Sequence, residues 1–174
     1  MQHQETPMPA TSGSMGRRRL LRLILLASLG LQLAHKASAT DDQAAQILGN
    51  WLTEPRDGII EISVASDGSY QGKIVGGNDP QRLDQHNPDP ARRSLTLLGQ
   101  TILKGMKYDG GGEWFGGSIY EPDSGRTYKC RLARLDKDRL QVRGFIGFSL
   151  LGRSQVWTRY LGSSMTLPMA SPQR

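Results

Sequence analysis

The sequence predicts an all-β fold, a small up-and-down antiparallel β-barrel with a short N-terminal helix. Three observations lead there. Short segments with apolar residues at alternate positions recur from residue 60 to residue 160, separated by Gly, Asp, Ser and Pro turn signals, and no stretch carries a long amphipathic helical period. A meander of this length must hide its edges, and closure into a barrel removes them where a two-sheet sandwich leaves some exposed. Glycines inside the predicted strands, Gly116, Gly117, Gly144 and Gly147, supply the kinks and bulges that tight curvature needs.

The elements follow in order. Thr40 and Gln43 form a capping box ahead of Ala44, Ala45, Ile47 and Leu48, which predicts a two-turn helix ended by Gly49. Ile60, Ile62 and Val64 alternate with Glu61 and Ser63; Ser66-Asp67-Gly68 then turns the chain into a strand over 70–75. A second hairpin pairs 101–108 with 113–120 across the tip Asp109-Gly110-Gly111-Gly112. Pro122-Asp123-Ser124-Gly125 leads into a strand over 127–135, Asp136-Lys137-Asp138 into 140–148, and Gly152 precedes the last strand, 153–160. Residues 76–98, with prolines at 80, 88 and 90, form the one long irregular connection.

Charge and composition bound the function. The 174 residues carry 22 Lys and Arg against 16 Asp and Glu, a formal net charge of +6. Residues 1–39 hold Arg17, Arg18, Arg19, Arg22 and Lys36 against Glu5, so the rest of the chain is close to balanced. The excess belongs to a secretory signal: a basic cluster, an apolar region from Leu20 to Leu33 interrupted at Arg22, and the small-residue site Ala37-Ser38-Ala39. Cleavage after Ala39 leaves a periplasmic or secreted protein. The uncharged stretch Leu23 to Leu31 is far short of the roughly 20 residues a spanning helix requires, so no integral membrane span is expected. The Arg17-Arg18 pair also suits a twin-arginine signal, but the strongly apolar stretch behind it favours the general export route. Residues 1–14 are unpatterned, which makes Met15 the expected start. The predicted organisation is 1–39 extension and leader, 40–160 one barrel domain, and 161–174 a loosely ordered tail.

As an ordered set of blocks, the chain from Gly49 to Arg159 resembles the bacterial domain-of-unknown-function family 2147. The blocks are Gly49-Asn50-Trp51 with Thr53, Gly58-Ile59-Ile60-Glu61-Ile62, Asp84-Gln85-His86-Asn87-Pro88-Asp89-Pro90 and Leu97 to Leu103. They continue with Trp114 to Tyr120, Pro122 to Tyr128, Arg143 to Gly147 and Trp157-Thr158-Arg159. The resemblance implies a lipocalin-like, calycin-type barrel without an established common activity. It also implies a structural pair at the barrel floor, Arg159 stacked on Trp51. The chain departs from lipocalins in its short length and in lacking both a disulfide and a clear C-terminal helix.

Catalytic chemistry finds little material. With the leader removed His86 is the remaining histidine, in a proline-rich loop where a solvated residue is the expected reading. Cys130 alternates with Tyr128 and Leu132 and reads as a small core residue, not a nucleophile. No zinc-ligand spacing occurs, and Asp79, Asp84, Asn87 and Asp89 match no calcium-loop pattern, so neither a metal nor a cofactor is expected. An enzyme working through Glu61 or Asp84 with a tyrosine has no spacing to compel it. The many basic residues of the barrel are interleaved with acids, and export argues against nucleic acid as a partner.

The expected function is therefore a non-enzymatic barrel binding a small lipophilic or amphipathic ligand, since an eight-stranded barrel either packs solid or holds one small molecule. Candidate ligand-binding residues are Trp114, Tyr120, Tyr128 and Phe145 as apolar lining, with Arg143 among the basic residues that would hold an anionic head at the mouth. The alternative is an envelope or host-surface interaction module acting through loop 76–98. The oligomeric state is open.

Overall fold

A computed structural model describes residues 42–147 and 152–162. The leader, Thr40, the tail from residue 163 and the predicted end of the seventh strand at Phe148 lie outside the described residues. The eight strands are β1 (Gly49–Leu52), β2 (Gly58–Val64), β3 (Tyr70–Gly77), β4 (Thr101–Tyr108), β5 (Glu113–Glu121), β6 (Arg126–Arg134), β7 (Arg139–Phe145) and β8 (Gly152–Arg159). Each pairs antiparallel with its neighbour in sequence, and β1 pairs with β8, so the sheet closes into an up-and-down barrel. The expected two-turn helix is shorter, a helical turn over 42–44 running into a 3-10 turn, Ala45–Ile47.

That turn forms the floor. Ile47 is fully buried in the core, and its carbonyl accepts the Trp51 indole N–H at 2.8 Å. Arg159 lies over the Trp51 ring, its guanidinium carbon 4.2 Å from the ring centroid. It donates Nη1 to the Leu48 carbonyl at 3.0 Å, Nη2 to that of Gln46 at 2.7 Å and Nε to that of Lys137 at 2.9 Å. One side chain thus ties the last strand to the N-terminal turn and to the β6–β7 turn, using the forked donor geometry that lysine lacks.

Above the floor the barrel is packed solid. Trp51, Ile62, Met106, Trp114, Leu132 and Leu140 are buried, and Trp114 stacks at 4.9 Å on Tyr108 and edge-on at 6.2 Å to Tyr70. Burying each such side chain is worth roughly 1.5–3 kcal/mol, which matters here because Cys130 is free and no disulfide adds to it. On the outer face a smaller cluster joins Leu52 and Ile59 to Val75 and Tyr160.

Alternation along β5 is broken once. Trp114 pairs with Leu132 and Gly117 with Cys130, so three steps on β5 match two on β6, and Gly116 takes the left-handed φ of 81° at the extra residue. The bulge lets Trp114 and Ile119, five positions apart, both join the core side of the sheet. Gly117 is needed for closeness, because a Cβ there would sit 2.3 Å from the Lys104 carbonyl oxygen. These are two of the glycines whose position in strands predicted curvature.

Candidate functional site

The floor end of the barrel carries the β2–β3, β4–β5 and β6–β7 turns, so up-and-down order sends the other four connections to the opposite end. There the barrel is hollow. A cavity of about 420 Å³ opens between the β1–β2 turn, the β3–β4 connection, the β5–β6 turn and the start of β8. This volume lies within the 300–1,000 Å³ common for small-molecule sites. Its depth is apolar, formed by Ile60, Ile74, Ile102, Ile119, Val142 and Trp157. Toward the mouth the lining turns polar, with Asp57, Asp79, Arg82, Glu121, Asp123 and Arg153.

Three features shape the wall. Gly144 leaves the wall open beside Tyr128: a Cβ there would meet Tyr128 Cβ at 3.5 Å and Ile119 Cγ2 at 3.6 Å, ordinary contact distances. The Tyr128 hydroxyl donates to Glu121 Oε2 at 3.3 Å, and Ser124 Oγ donates to the same oxygen at 2.6 Å. Gln155 accepts the Trp157 indole N–H at 3.0 Å.

The long β3–β4 connection, residues 78–100, is a folded wall of the site. Leu83 bridges to Thr96, Asp84 N–H donates to the Leu95 carbonyl and Leu97 N–H to that of Arg82, so the segment doubles back on itself. Leu97, buried, and Leu98 then face the cavity. At its centre Asp84 is fully buried and accepts from the Tyr120 hydroxyl at 2.5 Å and from Asn87 Nδ2 at 2.6 Å. Burial, and then the hydrogen bond to this carboxylate, push the Tyr120 hydroxyl up to about 12. The connection is pinned to its neighbours by Arg82, which pairs with Asp123 and reaches Asp57 at 3.9 Å, and by the His86 carbonyl, which sits directly over Gly125.

Each residue singled out from the sequence has a definite place. Tyr120, Tyr128 and Phe145 line the cavity. Trp114 does not; it belongs to the solid half below, fully buried, with its indole N–H without a hydrogen-bond partner among the described residues. Arg143 does not either. It pairs across β6–β7 with Arg131 on the outer face, where Nη1 donates to Ser154 Oγ at 2.9 Å. Trp51 and Arg159 are the floor pair described above. The cations that do line the mouth are Arg82 and Arg153.

The remaining candidates have structural roles. Cys130 is buried, and desolvation pushes its thiol up to about 12, so it stays protonated. The side chains of Asp79, Asn87 and Asp89 accept backbone N–H groups two residues on, from Gln81, Asp89 and Ala91, which is turn chemistry. His86 is exposed. Glu61 and Asp84 are not brought together: Glu61 is exposed opposite Lys73 on the neighbouring strand, and Asp84 is buried under the connection. The apolar depth was missed, although Ile60, Val142 and Trp157 each fall on the alternating face that their strands bury.

Residues 49–159 match the model of the family described as "Uncharacterized protein conserved in bacteria (DUF2147)", and the chain belongs to that family. No curated protein matches it. Among solved structures the chain is similar to protein HP1028 from the human pathogen Helicobacter pylori, described as belonging to the lipocalin family. The two share 20% identity with a TM-score of 0.59, over 66% of this chain and 82% of that one. At that identity the likeness speaks to the fold, a lipocalin-like barrel.

Proposed function

We propose that this family member is a non-enzymatic binding barrel, exported to the periplasm or beyond, that holds a small lipophilic or amphipathic molecule in its mouth-side cavity. The observation that carries this reading is the cavity itself: the floor half is close-packed, whereas the mouth half leaves about 420 Å³ open above an apolar base. Tyr120, Tyr128 and Phe145 serve as lining, as the sequence suggested, with the isoleucines of β2, β3, β4 and β5 below them. Because the β3–β4 connection contributes Leu97, Leu98 and Arg82 to the same lining, it supports a wall of the binding site better than a separate partner-contact loop.

Trp157 borders the cavity, so the test is a titration of long-chain alcohols and fatty acids read by tryptophan fluorescence and by native mass spectrometry. Saturable one-to-one binding is expected. Gly144→Leu projects a side chain into the hollow from a position with no backbone strain, and should lower affinity by roughly tenfold or more at little cost in stability. Failure of every such molecule to bind the wild type would end this reading. Export is tested separately: the protein recovered from the periplasm or medium of a bacterial host should begin at Thr40, and a chain recovered with residues 1–39 intact would refute the cleavage site.

A further inference from the structure

Resting on the binding reading above, we infer that the cavity is built for an amphipathic molecule whose polar end is cationic, an ammonium group in particular, and that Glu121 is the residue that receives it. The apolar depth leaves the polar end of any bound molecule at the rim, so the charge of the rim decides which head is accepted. Four carboxylates line the cavity there, on Asp57, Asp79, Glu121 and Asp123, against the guanidinium groups of Arg82 and Arg153. Arg82 is already engaged by Asp57 and Asp123.

Glu121 is the critical group. It ends β5, is half-buried, and takes both of its hydrogen bonds on Oε2 from neutral donors, Ser124 and Tyr128. Among the described residues its other oxygen, Oε1, has no hydrogen-bond partner, and no cation lies within ion-pair distance of the carboxylate. Arg126, its ladder partner on β6, is exposed and makes no ion pair with it. A carboxylate at the edge of an apolar hollow with one oxygen unengaged is a ready acceptor for an ammonium group that arrives with the ligand. An anionic head would have to rely on Arg153, which is exposed to solvent, where ion pairing is screened and weak. The half-buried charge therefore outweighs the exposed one.

Decylammonium, decanol and decanoate share one tail and differ at the head, so their affinities, measured at neutral pH and low salt by calorimetry, isolate the rim. The ammonium compound is expected to bind roughly tenfold more tightly than the alcohol, the carboxylate more weakly than either, and the ammonium advantage to shrink in high salt. Glu121→Gln, checked for folding by thermal unfolding, should abolish the preference for ammonium over alcohol. If none of the three binds, the binding reading itself falls. If decanol binds but the ammonium compound gains nothing over it, if decanoate binds best, or if folded Glu121→Gln keeps the preference, the binding reading stands and the cationic head is refuted.

Discussion

Gly125→Ala is expected to lower the thermal midpoint by about 10 °C, although the residue lies in a surface turn far from the packed core. Two costs combine. Gly125 holds a φ of 67°, in the left-handed region, where a non-glycine residue costs roughly 1–3 kcal/mol. A Cβ would also sit 1.8 Å from the His86 carbonyl oxygen, a clash with backbone that no rotamer change relieves. The β3–β4 connection must back away from the β5–β6 turn, and Arg82 then loses its alignment with Asp123. Urea and thermal unfolding of the variant check this, and a midpoint within a degree or two of wild type would contradict it. Ligand binding should weaken as well, because both displaced segments line the cavity.

Asp84→Ala should destabilise the protein by about 2–4 kcal/mol. The substitution strands the Tyr120 hydroxyl and the Asn87 amide without their acceptor, each a loss of roughly 1–3 kcal/mol, partly offset by removing a buried carboxylate. Adding Tyr120→Phe removes one of the stranded groups, so the double variant should recover part of the loss; a strictly additive double variant would argue against the coupling. The same contact predicts behaviour in alkali. A tyrosine pushed up from 10.0 to about 12 contributes stability that is complete below pH 10 and lost as pH rises toward 12. The buried Cys130 thiol, pushed up from 9.0 to about 12, acts in the same direction from pH 9 onward. Ultraviolet titration should reveal one tyrosine ionising near the upper end of that window, and in Asp84→Ala it should titrate earlier.

Seven of the eight strands were legible because alternation and turn chemistry are local; β1, four residues long, shows no such alternation. β4 occupies the predicted 101–108, and the other predicted strands differ from the observed ones by a residue or two, except that β7 stops at Phe145, short of the predicted 148; pairing, not composition, sets these limits. The direction of individual side chains was less legible. Trp114 faces the core, but at the floor end of β5 beside Tyr108 and below the cavity, and alternation along a strand does not tell how high on the barrel a residue falls. Arg143 could have been placed outside, since Leu140, Val142 and Gly144 carry the inward face of β7. The structured β3–β4 connection was not readable at all. Its order depends on Asp84 meeting Tyr120, and on His86 meeting Gly125, both long-range contacts that no local pattern announces.

The boundary between the packed and hollow halves has a consequence for how such a barrel can change. Trp114, packed against Tyr70 and Tyr108, lies outside the cavity, whereas Ile60, Ile102, Val142 and Trp157 line its depth and belong to the same buried core. Tyr128 and Gln155, higher on the wall, are only partly buried and stand outside that core, so exchanging them one at a time draws on little of the stability stored around Trp51 and Trp114. Changes at the rim can therefore reshape the opening in small steps, whereas changes in the apolar depth draw directly on the core.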